Sequence, residues 1–324
     1  MKKQSFKNDM SRVDLNRVSS SLKKIAKDER LKSLFLGNEI MYTYLLKAAK
    51  RYIGGETVED CFETAKVYNQ SGIKVSIDYC GESITDQSQA ISACLEFIRL
   101  ADLMENNVEG SISLDLSHIG LCIDRDFAKN NLFRLLDRAK SCGLDVMISM
   151  EGADRTDDIL ELYTSANEIY DNAGITIQAY LERSLNDLKN IIDHCKNGKI
   201  RIVKGAYDEA NSIPRGEALT ERFILLCEQV IASQNKLSIA THDSEIIERL
   251  KEILRSTDPI SAHTEFEMLR GVSDQMLSSL TDSGYDTRIY LIYGMQWHLY
   301  FWHRLAEHPQ NVYQAIVDIG KQGL

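Results

Sequence analysis

Eight short β-rich segments alternate with longer helical segments from residue 73 onward, and this alternation constrains the fold more than any other feature. The segments lie at 75–78, 111–116, 146–151, 175–180, 200–204, 237–242, 264–269 and 287–292. Alternating strands and helices form parallel sheets with helical crossovers. Eight such units within about 230 residues are typical of an α/β protein with a (βα)8 TIM barrel. An open doubly wound sheet is the alternative, but its G-x-G-x-x-G phosphate loop does not occur in the sequence.

The first 70 residues have a helical pattern and no strand pattern. Apolar side chains recur there at helical spacing, and the pair Gly54 and Gly55 interrupts the pattern. We therefore predict an N-terminal helical segment at 1–70 and a barrel domain with C-terminal helices at 71–324.

The charge balance limits the classes of partner. The chain has 38 Lys and Arg against 48 Asp and Glu, a net charge of −10 and a pI of about 5.3. An acidic chain is a poor candidate for binding nucleic acid, so we expect none. We also expect at most a peripheral contact with a membrane.

The cysteines and the N-terminus indicate a cytoplasmic protein. Seven cysteines are dispersed along the chain, and no C-x-x-C motif occurs. No apolar run follows the basic N-terminus, so no secretory signal is expected. Reduced thiols in the cytoplasm explain this pattern.

Polar residues cluster at the ends of the predicted strands, where a barrel of this type has its active site. Solvent-exposed loops alone would also place polar residues there, so the pattern only modestly favours a ligand-lined mouth. The polar residues assigned to these ends are Asp78, Glu82, Asp115, His118, Ser149, Glu151, Gln178, Arg201, Lys204, Thr241, His242, Glu265 and Tyr290.

Two residue groups are compatible with an anionic ligand. Arg201 and Lys204 in the fifth segment need an anion or an electron-rich ring, which a phosphate-bearing or flavin cofactor would provide. In the predicted helix at 295–307, Arg304 lies on one face with Glu307 and is suited to hold a carboxylate. A solvated polar helix face is the alternative. We find no spacing typical of a metal site and expect no metal.

Six motifs occur in an order and spacing that closely resemble the proline dehydrogenase family. They are Gln178-Ala179-Tyr180-Leu181, Arg201-Ile202-Val203-Lys204-Gly205-Ala206-Tyr207, Ala240-Thr241-His242-Asp243, Glu265-Phe266-Glu267-Met268-Leu269, Tyr290-x-x-Tyr293-Gly294 and Tyr300-x-x-His303-Arg304-x-x-Glu307. The resemblance extends over about residues 35–315.

The resemblance implies a distorted (βα)8 barrel with N-terminal helices and a C-terminal helix over the carboxyl face. It also implies an FAD-dependent oxidoreductase that transfers a hydride from a C–H next to an amine nitrogen to the flavin. The substrate would be a small amine or amino acid. The electron acceptor would be a quinone, usually at a membrane, or oxygen.

The resemblance further implies roles for individual residues. The cofactor contacts would be Met150, Gln178, Arg201, Lys204, Gly205, Ala206, Thr241, His242 and Glu307. The substrate pocket would include Asp115, Ser149, Leu269, Tyr290, Tyr300, His303 and Arg304. Arg201, Tyr290 and Asp115 would be closest to the chemistry, with Arg201 near the flavin N5.

Three substrate-site positions depart from the family. By this resemblance, Asp115 stands where the family has a Lys that contacts the substrate carboxylate. Ser149 stands where it has the Asp paired with that Lys, and His303 where it has the first of two Arg. If the His is neutral, these three changes make the pocket about two charge units more negative than in the family. In a poorly solvated pocket, the repulsion between a substrate carboxylate and Asp115 costs on the order of kcal/mol of binding free energy, not tenths of a kcal/mol.

Three functions therefore remain open. The departures favour an amine or imino-acid oxidoreductase whose substrate is not plain proline. The intact scaffold residues are compatible with ordinary L-proline dehydrogenase activity. A flavin-binding homologue without turnover is the third possibility.

Overall fold

The structure is a computed structural model that describes residues 2–195, 198–206, 212–233, 235–256 and 263–320, with side chains from residue 15 onward. Tyr207, the last residue of the second family motif, lies outside the described residues.

Helices and strands alternate along most of the chain. The strands are β1 Lys74–Tyr79, β2 Gly110–Leu114, β3 Val146–Ile148, β4 Ala173–Gln178, β5 Lys199–Val203, β6 Lys236–Ala240, β7 Thr264–Leu269 and β8 Asp286–Tyr293. The helices are α1 Lys2–Lys27, α2 Glu29–Gly37, α3 Glu39–Ala49, α4 Val58–Gln70, α5 Gln87–Met104, α6 Arg125–Ser141, α7 Thr156–Asn167, α8 Ser184–His194, α9 Glu217–Ser233, α10 Ser244–Ser256, α11 Asp274–Asp282, α12 Trp297–Glu307 and α13 Asn311–Gly320.

The strands form a closed barrel in sequential order from β1 to β8, with parallel neighbours. The predicted (βα)8 fold is therefore confirmed, and every predicted strand is present. Strands β2 and β3 end earlier than predicted, at Leu114 and Ile148. Asp115 and Ser149 consequently lie just beyond the carboxyl ends of their strands.

Alternate residues of each strand face opposite sides of the barrel wall. The side that faces the helices is aliphatic, with Ile77, Ile112 and Ile202 fully buried. The interior side carries hydroxyl and charged groups instead: the register pairs Ser76 with Ser111, and Arg201 with Ser238. The apolar core of the barrel therefore lies between strands and helices, and the interior is available for polar contacts.

Side-chain caps fix where the crossover helices begin. The Asp124 carboxylate accepts a hydrogen bond of 2.8 Å from the Phe127 amide at the start of α6, and the Asp243 carboxylate accepts one of 3.0 Å from Glu245 at the start of α10. Such caps satisfy amide groups that have no partner within the helix.

The chain divides into two compact units. The helical unit comprises Met1–Cys61 and Ile292–Leu324, and the barrel unit comprises Phe62–Leu291. As predicted, residues 2–70 contain helices and no strand. The predicted domain boundary after residue 70 stays a prediction.

Within the helical unit, the two chain segments are joined by polar contacts. Arg51 makes a two-bond ion pair with Asp318 at 2.6 and 2.8 Å, and the Ser19 hydroxyl donates to the Ala306 carbonyl at 2.6 Å. The Trp297 indole donates to Glu56 at 3.1 Å. These contacts connect α1 and the segment between α3 and α4 with α12 and α13.

Candidate active site

A buried ion cluster fills the amino-terminal part of the barrel interior. Glu265 accepts hydrogen bonds from Arg288 at 2.8 and 3.1 Å, and Lys199 lies 2.5 Å from the same carboxylate. Burial alone would raise the pKa of Glu265, but the Arg288 and Lys199 charges hold it well below its usual value. The prediction that Glu265 lies at a strand end is wrong, because it is the second residue of β7.

Arg201 lies in a second buried layer, closer to the carboxyl end. Its guanidinium donates two hydrogen bonds of 2.8 Å to Glu267 and contacts the hydroxyls of Ser113 at 3.2 Å and Ser76 at 3.0 Å. Ser238 donates to the same Glu267 carboxylate at 2.6 Å. Arg201 is therefore in the middle of β5 rather than at its end, and Glu267 provides the anion that its charge requires.

The mouth of the barrel begins above this layer with Asp78 and Tyr290. The Tyr290 hydroxyl donates to the Asp78 carboxylate, and the Tyr290 ring lies 5.6 Å from the Arg201 guanidinium. Burial raises the pKa of Asp78 to about 7, although the Tyr290 hydrogen bond and the Arg201 charge oppose that rise. Burial, Asp78 and Asp115 raise the pKa of Tyr290 well above its usual value, so it stays a hydrogen-bond donor.

Asp115 faces the same mouth and lies among acids. Burial raises its pKa well above the usual value, and the charges of Glu151, Asp78 and Glu82 raise it further. Ser149 hydrogen-bonds the Asp115 carboxyl, which opposes the rise. The ends of β2 and β3 thus bring together two of the positions that are predicted to depart from the family.

The third acid, Glu151, lies in the loop after β3 and is held by residues of the loops after β2 and β3. It accepts a hydrogen bond of 2.9 Å from the Ser117 amide and forms an ion pair of 2.7 Å with Arg155. The Arg155 cation is therefore already paired with Glu151. We refer to Asp78, Asp115 and Glu151 as the acid cluster.

Gln178 closes the neighbouring part of the mouth. Its side-chain amide donates to the Met150 and Glu151 carbonyls at 2.8 and 2.9 Å, which fixes the direction of the side chain. Its Oε1 atom is buried and accepts no hydrogen bond from the residues that the structure describes. A ligand with an N–H or O–H donor would satisfy this oxygen.

The β5 and β6 ends carry the other predicted cofactor contacts. Lys204 forms an ion pair of 2.6 Å with Asp243, and the His242 Nε2 atom accepts a hydrogen bond of 3.3 Å from the Leu269 amide. The Thr241 hydroxyl accepts one of 3.2 Å from the Asp243 amide. These bonds fix the loop after β6 against the ends of β5 and β7.

Gly205 follows Lys204 in a conformation that requires glycine. Its φ is +110°, and a Cβ atom would lie 2.0 Å from the Tyr180 ring. The next residue, Ala206, is exposed. Gly205 therefore makes room for the Tyr180 ring.

His118 does not belong to the mouth, contrary to the prediction. Its ring stacks on Tyr79 at 5.1 Å and meets the edge of Phe97 at 5.6 Å, in the layer between β1 and α5. Burial lowers its pKa to about 4, so it is neutral at pH 7. A Cβ atom on Gly81 would lie 2.3 Å from this ring, and the glycine therefore makes room for it.

The four predicted residues on α12 belong to the helical unit. Arg304 donates a hydrogen bond of 2.6 Å to Glu307 and lies 4.9 Å from the Tyr300 ring. Burial lowers the pKa of His303 to about 4, and the charges of Arg304, Lys27 and Lys23 lower it further. His303 is thus neutral at pH 7, as assumed in the charge balance. The functional roles of the residues in both units stay predictions.

Sequence reasoning missed the internal partners of Arg201. Four polar residues face the same side of the barrel wall as Arg201: Glu267, Ser76, Ser113 and Ser238. The recurrence of hydroxyl and acidic residues at every second strand position was a signal that could have identified them. Among the described residues, no group of three or more His, Cys, Asp or Glu side chains is arranged to hold a metal ion. In the same part of the chain, no helix is long and apolar enough to cross a membrane.

Comparison with known proteins agrees with this architecture. The chain is 32% identical to proline dehydrogenase 1 of Bacillus subtilis subsp. natto, over 89% of this chain and 98% of that protein. It is 30% identical to proline dehydrogenase of Deinococcus radiodurans, over 81% and 87%.

A solved structure with the same fold is proline utilization A (PutA) of Bdellovibrio bacteriovorus inactivated by N-propargylglycine. The TM-score is 0.78 at 18% identity, over 99% of this chain but only 40% of that chain. The family described as "Proline dehydrogenase" matches residues 61–312. The chain therefore belongs to the proline dehydrogenase family, whose members are oxidoreductases acting on a CH–NH group.

Proposed function

We propose that this protein is an FAD-dependent dehydrogenase that oxidises the C–N bond of a cyclic or basic amine, or amino acid, to an imine. In this proposal the preferred substrate is not plain proline but carries a cationic group at the acid cluster. The electrons then pass to a quinone or to oxygen.

The acid cluster is the observation that supports this choice of substrate. The charged neighbours that act most strongly on the Asp115 carboxyl, Glu151, Asp78 and Glu82, are acids, and Arg155 and Arg201 are paired with Glu151 and Glu267. A ligand carboxylate would be repelled by the ionised forms of these carboxyls, whereas a ligand ammonium would stabilise those ionised forms.

The residues at the mouth fit a flavin. The unpaired Gln178 Oε1 suits the imide N–H of a flavin ring. Lys204 supplies a cation that Asp243 holds in position. Bound FAD supplies a hydride acceptor, while the protein binds and orients the substrate.

Asp78 suits the role of proton acceptor. A protonated amine has no lone pair with which to form the imine, so its nitrogen must lose a proton. A carboxyl whose pKa is about 7 exchanges protons near neutral pH, and the Tyr290 hydrogen bond holds it in one orientation.

L-proline is the second candidate substrate. The relatives at 30–32% identity that match most of this chain are proline dehydrogenases. Arg304 and Tyr290, two of the predicted pocket residues, are retained.

Anaerobic mixing of the purified yellow protein with candidate substrates tests both proposals, the cationic amine and L-proline. We expect bleaching of the flavin band by a cyclic diamine or a decarboxylated proline analogue, and little by L-proline. Asp115→Lys should shift the preference toward L-proline by about 100-fold or more, because an acidic side chain is replaced by a cation that attracts the substrate carboxylate. Asp126→Asn, at an exposed acid on α6, is the matched control.

Three outcomes count against the proposal. Rapid bleaching of the unaltered protein by L-proline, unchanged in Asp115→Lys, would assign ordinary proline dehydrogenase activity. Flavin that no amine reduces would assign a binding protein without turnover. Absence of flavin from correctly folded protein would exclude the cofactor.

A further inference from the structure

The corner between α1 and α2 contains an open cavity of about 710 Å³. The residues that line it are Lys23, Lys24, Lys27, Asp28, Glu29 and Arg30. Ligand pockets commonly have volumes of about 300–1,000 Å³, so this cavity has the size of a small-molecule site. All six lining residues are charged and none is aromatic, which favours an ionic ligand over an apolar one.

The two acids of the cavity are engaged in other contacts. The Asp28 carboxylate caps α2, where it accepts hydrogen bonds from the Arg30 and Leu31 amides at 2.9 and 3.2 Å. The Glu29 carboxylate lies 3.4 Å from the ammonium of Lys32, which does not line the cavity. Neither acid is therefore fully available to neutralise the cations beside it.

Three of the four cations have no such contacts. Among the residues that the structure describes, Lys24, Lys27 and Arg30 form no ion pair. Lys27 is three residues from Lys24 and four from Lys23, so like charges are neighbours on the surface of α1 and repel each other. The negative end of the α1 dipole attracts cations, but it corresponds to only about half a charge. An excess of positive charge therefore remains in the cavity.

The influence of these lysines extends to α12, against which α1 packs. Burial lowers the pKa of His303 to about 4, and the charges of Arg304, Lys27 and Lys23 contribute to this decrease. The charges of the two lysines thus act on α12 instead of being neutralised within the cavity.

The charge of the chain is divided unequally between the two units. The helical unit has 15 Lys and Arg against 10 Asp and Glu, a net charge of +5. The barrel unit has 23 against 38, a net charge of −15. The acidic character of the whole chain therefore conceals a basic unit, and the cavity belongs to that unit.

We propose that this cavity binds a small molecule with two linked phosphates through Lys24, Lys27 and Arg30. One phosphate carries at most about two negative charges, so a diphosphate group matches the cations of the cavity better than a single phosphate does. The planar fork of Arg30 can hold two phosphate oxygens, whereas the two lysines act as point charges. The site is separate from the proposed substrate and cofactor contacts, because none of those residues lines the cavity.

Isothermal titration calorimetry of the full-length protein, as purified, with inorganic pyrophosphate tests this proposal. We expect one site that binds pyrophosphate at least about tenfold more tightly than inorganic phosphate and that weakens as salt is added. Lys24→Gln/Lys27→Gln should weaken pyrophosphate binding at least about tenfold, because it removes two cations from the cavity. Lys47→Gln/Lys50→Gln, at the C-terminal end of α3 in the same unit, is the matched control, with the same spacing and the same change in net charge.

Titration with adenosine diphosphate distinguishes the sources of the diphosphate group. Affinity equal to or below that for pyrophosphate would mean that the phosphates alone are recognised, whereas binding at least about tenfold tighter would assign a nucleotide. Equal melting temperatures of the two double variants would show that both are folded. No binding of pyrophosphate, no preference for it over phosphate, or equal affinities of the two double variants would overturn the proposal.

Discussion

The Glu267→Gln substitution tests whether Arg201 is held by an internal counter-ion. The two side chains are almost completely buried and form two hydrogen bonds of 2.8 Å. Glutamine keeps the shape but removes the negative charge, so the Arg201 charge stays buried without compensation. Removing one partner of a buried ion pair costs roughly 3–5 kcal/mol, and we expect about 4 kcal/mol here.

Thermal unfolding of the purified protein measures this effect. With an unfolding entropy of about 2.1 cal/mol/K per residue, 4 kcal/mol in a chain of 324 residues lowers the Tm by about 6 °C. Glu63→Gln is the matched control, because Glu63 pairs with Lys66 at 2.9 Å on the surface of α4. An exposed pair of this kind contributes less than about 1 kcal/mol, so the control should lower the Tm by no more than about 1.5 °C.

A Tm of Glu267→Gln equal to that of the control would refute this reasoning, since it would mean that the Arg201 charge is not desolvated. The double variant Arg201→Met/Glu267→Leu provides a second check. Apolar residues of similar volume should recover much of the loss, because no buried charge is left.

Three further predictions follow from the mouth of the barrel. Asp78 ionises near pH 4 in the unfolded chain but keeps its proton until about pH 7 in the folded protein. In the unaltered protein, its contribution should therefore lower the free energy of unfolding by up to about 4 kcal/mol as the pH rises from about 4 to about 7. Asp78→Asn should remove this part of the decline in urea titrations, and an unchanged decline would contradict the raised pKa. Tyr290→Phe removes the hydrogen bond that lowers the pKa of Asp78, so the decline should extend to higher pH in the same titrations. Gly205→Ala should lower the free energy of unfolding more than Gly143→Ala. Both glycines have a positive φ, but only at Gly205 would the new Cβ atom meet a ring, that of Tyr180. Equal losses in the two variants would show that the ring moves aside.

Much of the barrel could be predicted because its determinants are local. A barrel strand covered by helices needs an aliphatic side chain at every second residue, as at Val75 and Ile77. A crossover helix needs a capping residue at its start, such as Asp124. Both are patterns within a few residues of chain. The eight strands and their order follow from these patterns.

The strand ends were harder to predict. The pattern of β3 continues to residue 151, but the strand ends at Ile148, where Ser149 turns toward Asp115. The end of a strand depends on whether a neighbouring strand continues beside it, and that neighbour comes from another part of the chain.

The sequence by itself determined the barrel class and the family, and it predicts three positions at which the chain departs from that family. Only the tertiary structure decided which groups meet: Arg201 with Glu267, 66 residues apart, and Asp115 with Ser149 and Glu151. The tertiary structure also decided the orientation of helix α13. Its Asp318 is paired with Arg51, 267 residues away, and this ion pair leaves the apolar side of the helix exposed. The physical reason is that periodicity reports which side of an element is apolar, whereas the partner of a buried charge is set by strand register, barrel closure and helix packing.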